Sequence, residues 1–203
     1  MKIQIKSILG RVLFEYEKEN NTIKYTVLEA IKNNANLRNA NLFNANLFNV
    51  NLENVNLRNA NLENANLRKA DLRNANLFNA NLENANLRNA NLGDANLRNA
   101  NLFNANLRNA NLENANLFNV NLRDANLFNV NLRKAIKLPM YCKWSYGITG
   151  DKIHIGCEKR TIKEWDKFFK SEEVLATHRN TDEFKRIEAV YKALKAYYKH
   201  LNN

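Results

Sequence analysis

Leucine stands at every fifth position from Leu37 to Leu132, and around it the chain alternates small, polar and apolar residues with one fixed period. From Ala35 the order is Ala or Val, Asn or Asp, Leu, a variable residue, then Asn, Lys or Asp, and it continues without insertion through Lys134 as 20 consecutive pentapeptides. The leading residue is Ala except at Val50, Val55, Val120 and Val130. A helix fails this pattern, because a step of five residues turns each leucine by about 140° from the last and smears them around the axis. A flat strand fails too, because an odd step sends successive leucines to opposite faces. A chain that bends by a quarter turn per pentapeptide satisfies it: every Leu points inward with the small residue beside it, three positions face outward, and four units close one coil.

Coils stacked at strand spacing, about 4.8 Å, make a rod of roughly 24 Å from five turns. Asn suits this frame twice over, since it tolerates tight turns and its amide bonds nearby backbone or stacks in ladders. An Asn-rich disordered tract would place no demand on Leu at every fifth residue, which argues against that reading.

Units such as Ala60-Asn61-Leu62-Glu63-Asn64 and Ala70-Asp71-Leu72-Arg73-Asn74 resemble the pentapeptide-repeat family over 100 of the 203 residues. The resemblance implies a mainly β fold, a right-handed quadrilateral β-helix. It also brings a functional expectation. The best understood members resemble DNA in shape and charge and bind type II topoisomerases, giving resistance to gyrase poisons.

The segments on either side have different patterns, which divides the chain into residues 1–34, 35–134 and 135–203. Lys2 to Ile8 and Arg11 to Glu17 alternate as a short hairpin about Leu9-Gly10. Ile23, Val27 and Ile31 then recur at helical spacing behind a capping Thr22. Past Ala135, strands Tyr141 to Gly147 and Lys152 to Cys157 flank a turn centred on Thr149-Gly150, a register that sets Trp144 opposite Ile155 and Cys142 opposite Cys157. Thr161 and Glu164 form a capping box for a helix holding Ile162, Trp165, Phe168 and Phe169. A longer helix behind Thr181 carries Phe184, Ile187, Tyr191, Leu194, Tyr198 and Leu201 along one side. Both flanks are expected to cap the open, leucine-lined ends of the solenoid. The C-terminal part is similar to tail modules attached to pentapeptide repeats in some bacterial and phage proteins. The longer helix either packs on the rod and the shorter helix, leaving a monomer, or pairs with its copy in a homodimer.

Four units per coil place variable residues 20 apart in one outward column. The first column is Arg38, Arg58, Phe78, Arg98 and Phe118; the second Phe43, Glu63, Glu83, Phe103 and Arg123; the fourth Glu53, Arg73, Gly93, Glu113 and Arg133. The third is the most polarised, with Arg68, Arg88 and Arg108 between Phe48 and Phe128. Arginines in adjacent coils repel unless solvent, an anion or a partner lies among them, so this column reads either as a solvated stripe or as a docking site for phosphate or an acidic protein surface.

Charge modifies what the family resemblance implies. The whole chain is +11, and Ala35 to Lys134 hold 11 basic against 7 acidic side chains. A mimic of DNA is negative, and a basic rod is repelled by the cationic saddle that an acidic one fits. Two cysteines are too few for a disulfide scaffold, no apolar run approaches the roughly 18 residues of a membrane span, and Ile8 to Phe14 is cut by Gly10 and Arg11. The chain is therefore expected to be soluble and cytoplasmic.

Cys142, His154, Cys157 and His178 lack a Cys-x-x-Cys pair, and His154 and Cys157 point to opposite faces of a strand. They read as buried residues, or as a Cys142–Cys157 cross-strand disulfide in an oxidising compartment, rather than as a metal site. No phosphate loop, nucleophile elbow or catalytic triad is present, and Asp71, Asp94 and Asp124 replace structural Asn. The chain is read as no enzyme, with no cofactor. The leading expectation is a rigid scaffold that binds a macromolecule, a protein before others. The alternative is nucleic acid bound through the first and third columns, Arg38, Arg58 and Arg98 with Arg68, Arg88 and Arg108, where Phe interleaved with Arg offers stacking beside phosphate contacts.

Overall fold

The computed structural model describes residues 1–132, 135, 146–149, 151–155, 158–171 and 182–201. In the repeat region each Leu–X–Asn–Ala stretch is a turn closed by the Ala N–H on the Leu carbonyl, as from Ala65 to Leu62 at 3.0 Å. The fifth residue of every described unit has a left-handed φ, between 53° and 61°. Only φ at that third turn position is positive, the pattern of a type II turn, which Asn and Asp enter at less cost than other L-residues. This explains the last position of the repeat, and it marks Lys69, at φ 61°, as a misfit. Of the roughly 1–2 kcal/mol that a left-handed conformation costs an L-residue, Lys69→Asn should recover a part. The expected result is a raised midpoint of urea unfolding; an unchanged or lowered midpoint would contradict the turn argument.

The first Asn of each unit has another task. Asn66 accepts the backbone N–H of Arg68 on Oδ1 at 3.2 Å, and its Nδ2 donates to Asn46 Oδ1, one coil below, at 3.1 Å. A second ladder joins the turn asparagines, as from Asn59 to Asn39 at 3.0 Å. Backbone bonds tie the same coils together: Asn61 N–H donates to the Ala40 carbonyl at 2.8 Å, and Leu42 N–H to the Asn61 carbonyl at 2.7 Å.

The side walls differ from extended strands. Coils meet at single parallel bridges 20 residues apart, from Asn41 with Asn61 to Asn111 with Asn131. Four residues of every five take part in the turn, so one bridge per face is all that the period leaves. Inside, Leu47, Leu67, Leu87 and Leu107 are buried together with Ala65, Ala85 and Ala105, and the other leucine columns are filled in the same way.

At the N-terminal end, β1 (Lys2–Lys6) pairs antiparallel with β2 (Val12–Glu17), Lys2 opposite Glu17, with a bulge between Ile5 and Lys6. The strands stop short of Ile8 and Arg11 because Ser7 makes the turn: its Oγ accepts the N–H groups of Leu9 and Arg11, and Gly10 supplies φ 84°. Ser7 bridges Ala40, and Asn41 N–H donates to the Lys6 carbonyl at 2.7 Å, so the hairpin edge lies on the first coil. Helix α1 (Ile23–Lys32) starts at Thr22, whose side chain accepts Tyr25 N–H, and buries Val27 and Ala30 in the same apolar cluster as Leu37 and Leu42.

Beyond the rod, β3 (Tyr146–Thr149), β4 (Lys152–Ile155) and β5 (Glu158–Thr161) form an antiparallel sheet in that order. Here the sequence expectation is corrected. Thr149 pairs with Lys152 and Tyr146, not Trp144, stands opposite Ile155, so the hairpin register is shifted by two residues. Ile148 and Thr149 are β-branched and extend the strand instead of making its turn. A third strand, β5, extends the predicted hairpin into a sheet. Trp144, Cys142, Cys157, His178, Thr181 and Arg133 lie outside the described residues.

Helix α2 (Ile162–Lys170) begins with both halves of the Thr161/Glu164 capping box in place. With α3 (Asp182–Leu201) it encloses a second core of Ile153, Ile155, Trp165, Phe168, Ile187, Val190, Tyr191 and Leu194. Trp165 Nε1 donates to the Ile153 carbonyl at 2.7 Å, and Tyr191 stacks on Phe169 at 4.9 Å. Burial pushes the Asp166 carboxyl up, but hydrogen bonds from Lys195 and Tyr191 outweigh it and hold the group below its ordinary range. Helix α3 also reaches the rod, through Ala193 and Ala196.

Candidate binding faces

The bridges between residues 20 apart carry the variable side chains of successive coils into columns. The columns differ in how their charges are settled. In the fourth, Arg73 spans Glu53 at 2.8 Å and Asp71 at 2.7 Å, and its hydrogen bond holds the Asp71 carboxyl below the usual carboxylate range. In the second, Glu63 and Glu83 accept from the side chains of Asn81 and Asn101, and Arg123 lies over Phe103 at 5.2 Å. Both columns contain carboxylates, and Arg73 shows a direct cancellation across coils.

The first and third columns hold arginine without acid. In the first, Arg58 lies over Phe78 at 4.5 Å and Arg98 over Phe118 at 4.9 Å, with Arg38 exposed on the opening coil. In the third, Arg68 lies over Phe48 at 5.3 Å and Arg108 over Phe128 at 4.9 Å. Between them Arg88 is exposed and touches neither ring nor carboxylate among the described residues. The phenylalanines of these two columns are thus partners of arginines, each pair worth about 0.5–1 kcal/mol at an exposed site, while Phe43 of the second column stands 48% exposed. Phe128 nevertheless remains 60% exposed.

The eight residues singled out from the sequence, Arg38, Arg58, Arg98, Arg68, Arg88, Arg108, Phe48 and Phe128, therefore occupy two faces. Columns separated by two pentapeptides stand half a turn apart, so the two sets look in opposite directions and make no single site. The lysines of α3 are not among those eight. Lys192, Lys195 and Lys199 line a groove of about 860 Å³ against the last coils, facing Phe128, Asn129 and Asn131. Their spacing of three and four residues was the signal, since it puts all three on one side of a helix.

A stack of pentapeptides with inward leucine, left-handed asparagine turns and parallel bridges one coil apart, as the described residues show it, defines a class of protein. The family described as Pentapeptide repeats matches in eight copies over residues 30–59, 56–94 and 95–133, and the chain belongs to that family, whose fold is the right-handed β-helix. No curated protein sequence matches the chain. Among solved structures it is similar to HetL, a pentapeptide repeat protein involved in heterocyst differentiation regulation from the cyanobacterium Nostoc sp. strain PCC 7120, at 36% identity and TM-score 0.43 over 48% of this chain and 49% of that one. It is similar also to Rfr23 from the cyanobacterium Cyanothece 51142, at 42% identity and TM-score 0.45 over 46% of this chain and 64% of that one. A third is AT2G44920 from the Arabidopsis thaliana thylakoid lumen, at 29% identity and TM-score 0.38 over 44% and 66%. The chain spans less than two thirds of each of these proteins. No helix among the described residues is long and apolar enough to cross a membrane.

Proposed function

We propose that this chain is a non-enzymatic, rigid scaffold that binds an acidic protein surface through the third face of its rod. The observation that carries the reading is a column of three arginines in adjacent coils with no carboxylate in it. Phe48 and Phe128 brace the outer two, and Arg88 is left open between them. Bonded turn by turn to its neighbours, such a surface spends little conformational entropy on binding. In this reading residues 35–134 are the binding rod, residues 1–34 and 135–203 cap its ends, and the protein acts as a cytoplasmic monomer of bacterial or phage origin.

Changing Arg68, Arg88 and Arg108 together to Glu reverses the charge of this face while leaving the leucine core untouched. The triple variant should lose the partner that wild type retains in a pull-down, with at least a tenfold drop in recovery. Identical partner lists from both proteins would refute the assignment of the third face. Nucleic acid is the second reading, and the net charge of +11 favours it. Opposite faces weigh against it, since one strand reaches either the first or the third column and not both.

A further inference from the structure

Helix α3 turns a lysine-bearing side toward the rod. Ala193 is buried in the rod's apolar cluster and Ala196 packs against it, which brings Lys192, Lys195 and Lys199 to the edge of the groove. No carboxylate lines that groove among the described residues. Lys195 is held by Asp166, whose Oδ2 lies 2.7 Å away, and Lys192 makes an exposed pair with Glu188 at 3.0 Å. Lys199 has no carboxylate partner among the described residues. The opposite wall includes Phe128, the last side chain of the third column, whose ring lies under Arg108. The groove is thus where the arginine column ends.

We propose that the third face and this groove form one continuous track for an extended acidic polypeptide segment of a partner protein, a step that rests on the reading of the third face given above. The spacing points to an extended chain. Arginines on successive coils are rooted about 4.8 Å apart, and Arg68 and Arg108 lean away from Arg88 onto Phe48 and Phe128. That spreads their heads beyond the coil spacing, and alternate side chains of an extended strand stand roughly 6.6 Å apart. A segment with a carboxylate at every second residue meets each arginine in turn and delivers the next carboxylates to Lys199 and Lys192. Single-stranded nucleic acid fits less well, because no ring stands between Phe48 and Phe128 on this face to stack successive bases.

The test uses the full chain and two fluorescein-labelled peptides of alternating Glu and Ser, read by anisotropy at low ionic strength. A six-residue peptide spans about 20 Å and covers the arginine column, whereas a twelve-residue peptide spans about 40 Å and continues into the groove. The longer peptide should bind about tenfold more tightly, and Lys199→Glu should remove that advantage without changing the shorter peptide's affinity. Lys163→Glu, the same charge change on the exposed side of α2, should leave both unaffected. Arg88→Glu should weaken both about equally. If neither peptide binds wild type, the third face itself is misassigned. If both bind equally and Lys199→Glu is silent, the groove alone is excluded. A twelve-residue peptide with its glutamates in one block binding as well as the alternating one would overturn the spacing argument. Oligothymidylate displacing the long peptide at lower concentration than unlabelled peptide does would assign the track to nucleic acid instead.

Discussion

Replacing Leu87 by Ala should destabilise the protein by about 2–5 kcal/mol, the range for emptying a closed leucine site. Leu87 is fully buried in the middle of the stack, in one column with Leu67 and Leu107, and its backbone is bonded to Asn106 of the next coil at 2.8 Å. Repeated turns above and below restrain the walls, so the cavity has little room to collapse. Val55→Ala offers the contrast: its smaller side chain is only partly buried at the start of the second coil, and truncation there should cost less than about 1 kcal/mol. Urea unfolding followed by far-ultraviolet circular dichroism measures both. A Leu87→Ala cost no larger than that of Val55→Ala would mean that the core is not close-packed around the leucine columns.

Removing residues 182–203 should have a larger effect at the other end of the molecule. The loss is divided between two contacts. Ile187, Val190, Tyr191 and Leu194 leave Trp165, Phe168, Ile153 and Ile155 uncovered, at about 2 kcal/mol for each large side chain. Ala193 and Ala196 leave the rod. The truncated chain should show a red-shifted Trp emission, bind a hydrophobic dye and aggregate on heating while the central coils stay folded. A soluble, monomeric and equally heat-resistant fragment would exclude α3 as the cap and return it to another role, such as pairing with its copy. Light scattering on the intact chain addresses that pairing directly, since a mass near 23.5 kDa excludes the dimer.

The rod was legible from sequence because its geometry is written in a period. A step of five fits neither the turn of a helix nor the pleat of a strand, and one geometry repeated 20 times leaves the four-unit coil, the buried leucines and the order of every column readable from residue numbers alone. Local capping chemistry was legible for the same reason: Thr22 and the Thr161/Glu164 box act on neighbours three residues away. Contacts between distant segments carried no such signature. The hairpin register moved by two residues because Ile148 and Thr149 gain more from pairing in the sheet than from making a turn. That Phe48 and Phe128 brace arginines depended on rings and guanidiniums meeting one coil apart, which a column order permits but does not decide. The lysines of α3 were visible as a spacing, yet only packing through Ala193 and Ala196 turned them toward Phe128. The sequence by itself determined the repeating frame, because each unit meets copies of itself; tertiary structure decided the ends and which charged side chains face the groove, because there unlike surfaces meet once.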